Sequence, residues 1–173
     1  MNLDKLRHAI RDVPDFPKKG IVFKDITTLL KEPDLCKEAV ELLAERYRGK
    51  EVRKIVGIES RGFIFASAIA YTLGAGFIPV RKPGKLPAET LKEVYELEYG
   101  TDSVEIHRDA VSRGEKVAVI DDLLATGGTM AATLRLLDKL GAEVIGISFL
   151  IELEFLKGRE KLAGYDVYSL ITY

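Results

Sequence analysis

Cysteine is almost missing from this chain: Cys36 is the only one among 173 residues, so no intrachain disulfide can form, which fits a reducing cytoplasm. Set among Leu35, Ala39 and Val40, it reads as a packed core thiol rather than a nucleophile. Excess charge is missing as well. Twenty-six basic side chains against 27 acidic ones leave a formal net charge of −1. Nothing global therefore points to nucleic acid or an anionic membrane surface, and any attraction for anions must be local. The opening MNLDKLRHAI mixes charges and lacks the apolar core of a signal peptide. The longest stretch without a charge, Phe63 to Val80, approaches a membrane span in length, but Gly74, Gly76 and Pro79 interrupt it. It reads as a buried helix, a turn and a strand of a soluble protein. No lysine falls between Lys116 and Lys139, which removes a Walker A loop, and no G-x-G-x-x-G precedes a distant acidic residue. Repeats, low-complexity tracts and interdomain linkers are absent too.

What is present alternates between helical and strand periods. Leu3, Leu6 and Ile10 mark a short helix ending before Pro14; Pro14 to Gly20 reads as a loop into Ile21-Val22-Phe23. Pro33 opens a helix to about Arg48, KIVGIE (54–59) is a buried strand, and a helix follows from Gly62 to Leu73. Phe77 to Val80 is the next strand and Arg81 to Lys92 a charged, proline-interrupted loop. Tyr95, Leu97 and Tyr99 share one face of a strand that turns at Gly100 towards Val104 and Ile106, a β-hairpin. Val117 to Ile120 forms a hydrophobic strand, and Met130, Leu134, Leu137 and Leu140 a helix capped by Gly141. Val144–Leu153, a short helix at Leu156–Leu162 and a strand at Val167–Ile171 complete the order. Strands and helices alternating at this spacing predict one α/β domain over 1–173, with a doubly wound, mainly parallel sheet.

The most informative stretch is VAVIDDLLATGGTM, 117–130. Its loop, Ala125-Thr126-Gly127-Gly128-Thr129, has little side-chain bulk, so backbone N–H groups at the start of a helix can close around phosphate. The adjacent Asp121 and Asp122 would repel that anion. They suit the hydroxyls of a neutral polyol, or lie near a metal-bound substrate. Phosphate on one side and a diol on the other describe a ribose 5-phosphate. Arg61, after strand KIVGIE, is expected on the same rim. From charge alone, Arg81, Lys82 and Lys85 read as an ordinary solvated loop. Pro83, Gly84 and Pro87 make that loop turn-rich, however, and a basic flap there is what a pyrophosphate leaving group would require. Val22 and Phe23 read as simple core, and Glu98 as a solvated strand glutamate.

The segment 117–130 resembles the phosphoribosyl pyrophosphate (PRPP) motif of type I phosphoribosyltransferases. PDFPKKGIVFKDIT (14–27), ESRGF (59–63), RKPGKLP (81–87), YELEYG (95–100) and LKGREKL (156–162) extend the resemblance, across nearly the whole chain, to the adenine phosphoribosyltransferase family. That resemblance implies the type I fold with a small hood over about 1–30 and a flexible hairpin flap over about 81–106. It implies purine salvage: adenine plus PRPP gives AMP and pyrophosphate in a cytoplasmic homodimer, with Mg²⁺ carried by PRPP rather than bound directly. By position, Ala125 to Thr129 would hold the 5′-phosphate and Asp121 and Asp122 the ribose hydroxyls. Ser60, Arg61, Arg81, Lys82 and Lys85 would contact pyrophosphate, with the Glu59–Ser60 peptide cis. Val22 would pair its backbone with the adenine edge, and Phe23 and Arg61 would lie against the base. Glu98 would stand nearest the proton transfer beside the flap residue Tyr99, so that Glu98, Arg61 and Lys85 are the expected catalytic groups. Alternatives are a different purine base (hypoxanthine, guanine or xanthine), a PRPP-sensing regulator without catalysis, or a protein keeping the fold alone.

Overall fold

The computed structural model describes residues 3–97 and 100–173. The chain opens with helix α1 (Leu3–Ala9) and an antiparallel ribbon of β1 (Arg11–Pro14) and β2 (Val22–Asp25). β1 is a strand that the sequence does not announce, since its four residues are largely exposed and show no apolar alternation. A four-residue helix α2 (Thr27–Leu30) follows, then α3 (Pro33–Glu45), which has proline at its start and ends three residues short of the expected Arg48. Cys36 lies on α3 half-buried, one residue off the face that carries Leu35, Ala39 and Leu43, so it is not fully packed in the core.

Next come β3 (Lys54–Ile58), α4 (Gly62–Leu73), β4 (Gly76–Val80), β5 (Thr90–Glu96) and β6 (Thr101–His107). β7 (Lys116–Leu124), α5 (Gly128–Leu140) and β8 (Glu143–Glu152) lead to two 3₁₀ turns, Glu154–Leu156 and Gly158–Leu162, and to β9 (Val167–Thr172). Among the described residues, five parallel strands form the central sheet in the order β4-β3-β7-β8-β9. Successive residues of β7 divide between two cores. Ala118 and Ile120 pack with α3 and α4 on one face, and Val117 and Val119 pack with α5 and the hairpin on the other. A strand buried on both faces needs an unbroken apolar run, and Val117–Ile120 supplies it.

Three expected boundaries move. The loop after β4 is shorter than Arg81–Lys92, because cross-strand pairs from Thr90↔His107 onward already make Thr90–Lys92 part of β5. β7 does not end at the aspartates; pairs out to Leu124↔Glu152 carry it two residues beyond Asp122, so the two carboxylates sit inside a strand. Leu97 lies beyond the end of β5 and is exposed, so it does not share the buried face of Tyr95. The β5–β6 hairpin joins the sheet region through a bridge between Arg81 and Glu105 and packs on α5.

Candidate functional site

Parallel pairing aligns the carboxyl ends of β3 and β7, with Gly57 opposite Ile120, so the segments that follow them meet. Beyond β3 the Glu59–Ser60 peptide is cis and Arg61 leads into α4. The Arg61 Nε stands 2.8 Å from Asp122 Oδ2, joining two segments 61 positions apart. No hydrogen bond is aligned on that buried oxygen, so it keeps accepting capacity. Asp121 Oδ1 accepts the Asp122 backbone N–H at 2.9 Å. Burial raises the carboxyl of Asp121 well above the usual range, and the charge of Asp122 raises it further. Burial also raises Asp122, but the Arg61 guanidinium opposes that rise, so Asp121 is the member of the pair that holds a proton more readily.

Gly62 makes this approach possible. A Cβ there would lie 2.6 Å from Asp121 Oδ1 and 3.2 Å from both the Asp121 Cα and the Ile120 carbonyl oxygen. Although ESRGF stands out in the sequence, a requirement for glycine at its fourth position depends on how closely α4 crosses β7, which no local pattern reveals.

The loop Ala125–Gly127 and the first turn of α5 line a cavity of about 80 Å³ together with Asp121, Leu124 and Phe149. Gly127 is the residue before the helix, at φ +76°, a left-handed conformation that favours glycine. Gly128 and Thr129 are the first helical residues, so the predicted phosphate cradle is half loop and half helix N-terminus. Thr126 is exposed and Thr129 half-buried. Two other segments touch the loop. Gly158 packs so closely beneath it that a Cβ at either Gly127 or Gly158 would run into the other's backbone or that of Ala125. From above, Tyr95 of β5 stands where a Cβ at Gly128 would be 3.2 Å from its ring.

All three flap cations are held by carboxylates. Glu59 accepts from Arg81 Nε at 3.2 Å, from the Lys82 backbone N–H at 2.9 Å and from Lys85 Nζ. Burial works against the charge on Glu59, but Lys85, the Lys82 N–H and Arg81 together hold its carboxyl below the usual range. Lys82 Nζ donates to Asp102 and, at 2.9 Å, to the Tyr95 hydroxyl, which itself donates to Asp102 at 3.1 Å. Glu59, Asp102 and Tyr95 are the partners that gather these cations, and the sequence does not single them out. A signal exists for Glu59: two adjacent parallel strands end at Ile58 and Val80, so whatever follows them is neighbouring.

The β1–β2 ribbon brings the expected base-site residues to the same edge. The Arg61 guanidinium lies 4.9 Å over the Phe23 ring, and Phe16 meets that ring edge-on at 5.2 Å. Val22 is exposed, with its backbone paired to Pro14. Ser60 is exposed as well. Thus Phe23, Arg61, Asp122 and Asp121 form one connected set, and Arg81, Lys82 and Lys85 another that meets at Glu59 and Asp102. Glu98 and Tyr99 lie outside the described residues.

The phosphoribosyl transferase domain model matches residues 25–169. An adenine phosphoribosyltransferase of Geotalea uraniireducens is 57% identical over 171 residues, covering 99% of this chain and 100% of that protein. The crystal structure of adenine phosphoribosyltransferase from Thermoanaerobacter pseudethanolicus superposes with a TM-score of 0.96 at 56% identity, covering 99% of each chain. The Saccharomyces cerevisiae adenine phosphoribosyltransferase, crystallised with an imino-altritol bisphosphate and adenine, gives a TM-score of 0.91 at 42% identity, covering 97% of each chain.

Proposed function

The chain belongs to the adenine phosphoribosyltransferases, within the phosphoribosyl transferase domain family, and from that premise we propose how its residues move a phosphoribosyl group. The reaction is purine salvage: the 5-phosphoribosyl group of PRPP passes to adenine, giving AMP and pyrophosphate. The observation that carries the division of labour is the single edge on which a small-residue loop, a buried carboxylate pair and the Arg61–Phe23 stack converge.

In our proposal the Ala125–Thr129 backbone and hydroxyls take the 5′-phosphate, where N–H groups of the α5 start favour an anion. Asp121 and Asp122 accept hydrogen bonds from the ribose hydroxyls; Oδ2 of Asp122, buried beside Arg61 Nε but accepting no aligned hydrogen bond, keeps capacity for one. Adenine lies against Phe23, with its N6 donor and N1 acceptor matched by a carbonyl and an N–H of the Val22 segment. Displacement at C1 builds positive charge on the sugar and negative charge on pyrophosphate, so fixed cations aimed at the leaving group lower the barrier most. Arg61, Arg81, Lys82 and Lys85, with Ser60, fill that role. For Arg81 and Lys85 this means exchanging the Glu59 carboxylate for a phosphate oxygen. Glu98 takes the purine proton beside Tyr99, and the hairpin excludes water from the sugar cation.

We propose that Mg²⁺ arrives with PRPP, where it would neutralise pyrophosphate charge. We further propose a cytoplasmic homodimer. Ile64, Tyr71 and Phe77 stand exposed on α4 and β4, an apolar surface that a second copy would cover. A solution mass of one chain would exclude that assembly. No helix among the described residues is long and apolar enough to cross a membrane.

The deciding assay follows PRPP-dependent consumption of adenine, hypoxanthine and guanine with and without magnesium. Turnover of adenine alone supports the base site at Val22 and Phe23. Turnover of an oxopurine would discard that assignment and keep the phosphate loop. PRPP binding without turnover of any base would indicate a sensor.

A further inference from the structure

The segment LKGREKL has no part in the chemistry above, yet it is tied into the sheet by a charged contact that is costly to bury. Glu152, the last residue of β8, is 4% exposed. Its carboxylate accepts Arg159 Nε at 3.0 Å on Oε1, and Arg159 Nη2 together with the Ser169 hydroxyl, at 2.6 Å, on Oε2. The same guanidinium donates to the Val167 carbonyl at 2.7 Å and to Ser169 Oγ at 3.3 Å. A buried carboxylate met by a two-pronged guanidinium and a hydroxyl fixes direction as well as charge. Leu162 anchors the far end of the turn in the core beneath the sheet.

These bonds lead towards the phosphate loop. Glu152 is the register partner of Leu124, the residue before Ala125, and the Leu153 N–H donates to the Leu124 carbonyl at 2.9 Å. Gly158, next to Arg159, lies against Ala125 and Gly127 so tightly that no Cβ fits between them. The backbone at 158 is therefore the floor on which 125–127 rests, and Arg159 is what locks that floor to the strands.

We propose that Arg159, held by Glu152 and Ser169, is a positioning residue for the phosphate loop, setting through Gly158 where Ala125 and Gly127 stand. This rests on the assignment of that loop to the 5′-phosphate. The test uses Arg159→Gln and Glu152→Gln in the full chain, with KM for PRPP, KM for adenine, AMP affinity by calorimetry and Tm measured together. Gly158→Ala is the direct variant but threatens folding; the Arg159 side chain is half exposed, so its replacement leaves the core filled. The expected result is a rise of about 10- to 100-fold in KM for PRPP and in the AMP Kd, with KM for adenine near wild type. Arg159→Lys, which keeps a cation and a donor to Glu152, should recover part of the loss. An unchanged KM for PRPP, or equal increases in both KM values alongside a lower Tm, would overturn positioning and leave a structural tie. Gly128→Val separates the two layers. If it abolishes PRPP binding while Arg159→Gln leaves KM for PRPP at the wild-type value, only the positioning role fails; if PRPP still binds to it normally, the loop assignment falls and this inference with it.

Discussion

Replacing Gly62 by alanine adds one methyl group where the geometry leaves no room. The new Cβ would meet Asp121 Oδ1 at 2.6 Å and the backbone of Ile120 and Asp121 at 3.2 Å, against about 3.5 Å for a comfortable carbon contact. The carboxylate could rotate away, but the two backbone atoms belong to β7, paired on both sides by β3 and β8 and unable to retreat. Overpacking of this kind costs about 1–3 kcal/mol. Alanine regains some helix propensity, at most about 1 kcal/mol and less at a first helical position. The steric term therefore wins over most of that range, and for a chain of this length a net loss of about 1–2 kcal/mol corresponds to a fall of about 2–8 °C in Tm. Function should suffer more than stability. The displaced group carries Asp121, and moving α4 also shifts Arg61 against Asp122, so kcat/KM for PRPP should drop on the order of 100-fold. Gly76→Ala is the matched control, since its Cβ would find Lys54 Cγ at 3.4 Å and the Arg53 carbonyl oxygen at 3.8 Å, both ordinary contacts. Calorimetric melting of both variants and a PRPP saturation curve decide the matter. A Gly62→Ala enzyme with wild-type Tm and wild-type KM for PRPP would refute the claim that glycine is required for the approach of α4 to the carboxylates.

Two further outcomes follow from the ion pairs. Lys85→Gln breaks a contact to Glu59 whose cationic partner is half exposed, so Tm should shift by no more than about 1 kcal/mol of stability while kcat falls roughly 100-fold, with adenine affinity unchanged; unaltered turnover would remove Lys85 from the leaving-group site. Asp25 accepts the hydroxyl and backbone N–H of Thr27 and the guanidinium of Arg11, and these hold its carboxyl down at about 2. A depressed folded-state value means that this stabilisation is complete above the unfolded value near 3.8 and is lost as pH falls towards 2. Asp25→Asn should therefore be less stable than wild type by about 1 kcal/mol at neutral pH, with the gap closing between pH 4 and 2; a gap that persists at pH 2 would show that the carboxylate charge is not its source.

The main sheet and its helices are legible because each element has a strong local pattern. β7 shows an apolar run for a strand buried on both faces, and α5 shows leucines at helical spacing with a glycine stop. β1 and the extension of β7 through Asp121 and Asp122 are not legible for the same reason in reverse. Arg11–Pro14 has no apolar face to alternate, and it is a strand because β2 returns alongside it. Asp121 to Leu124 is a strand because β8 is long enough to pair with it, and two adjacent carboxylates otherwise look like the start of a loop. Pairing partners, not the residues themselves, decide such segments.

The site divides along the same line. Small residues after a strand and before a helix suggest an anion loop locally. The cations of RKPGKLP, visible as charge, read from charge alone as a solvated loop and gain a role only from the resemblance. Their carboxylate partners do not stand out at all, because Glu59 lies 22 positions before Arg81 and Asp102 lies 20 after Lys82. Those partners change what the cations can do. Free ammonium and guanidinium groups clustered on one loop would repel one another; seated on Glu59 and Asp102 they are oriented and nearly neutralised before substrate arrives. In the proposed role, pyrophosphate would compete with a carboxylate rather than with water, so its binding would gain less Coulomb energy but need less ordering of long side chains. Glu59 pairs two of the three cations and accepts the backbone of the third, so its release would free the side chains of Arg81 and Lys85 while Lys82 stays on Asp102 and Tyr95.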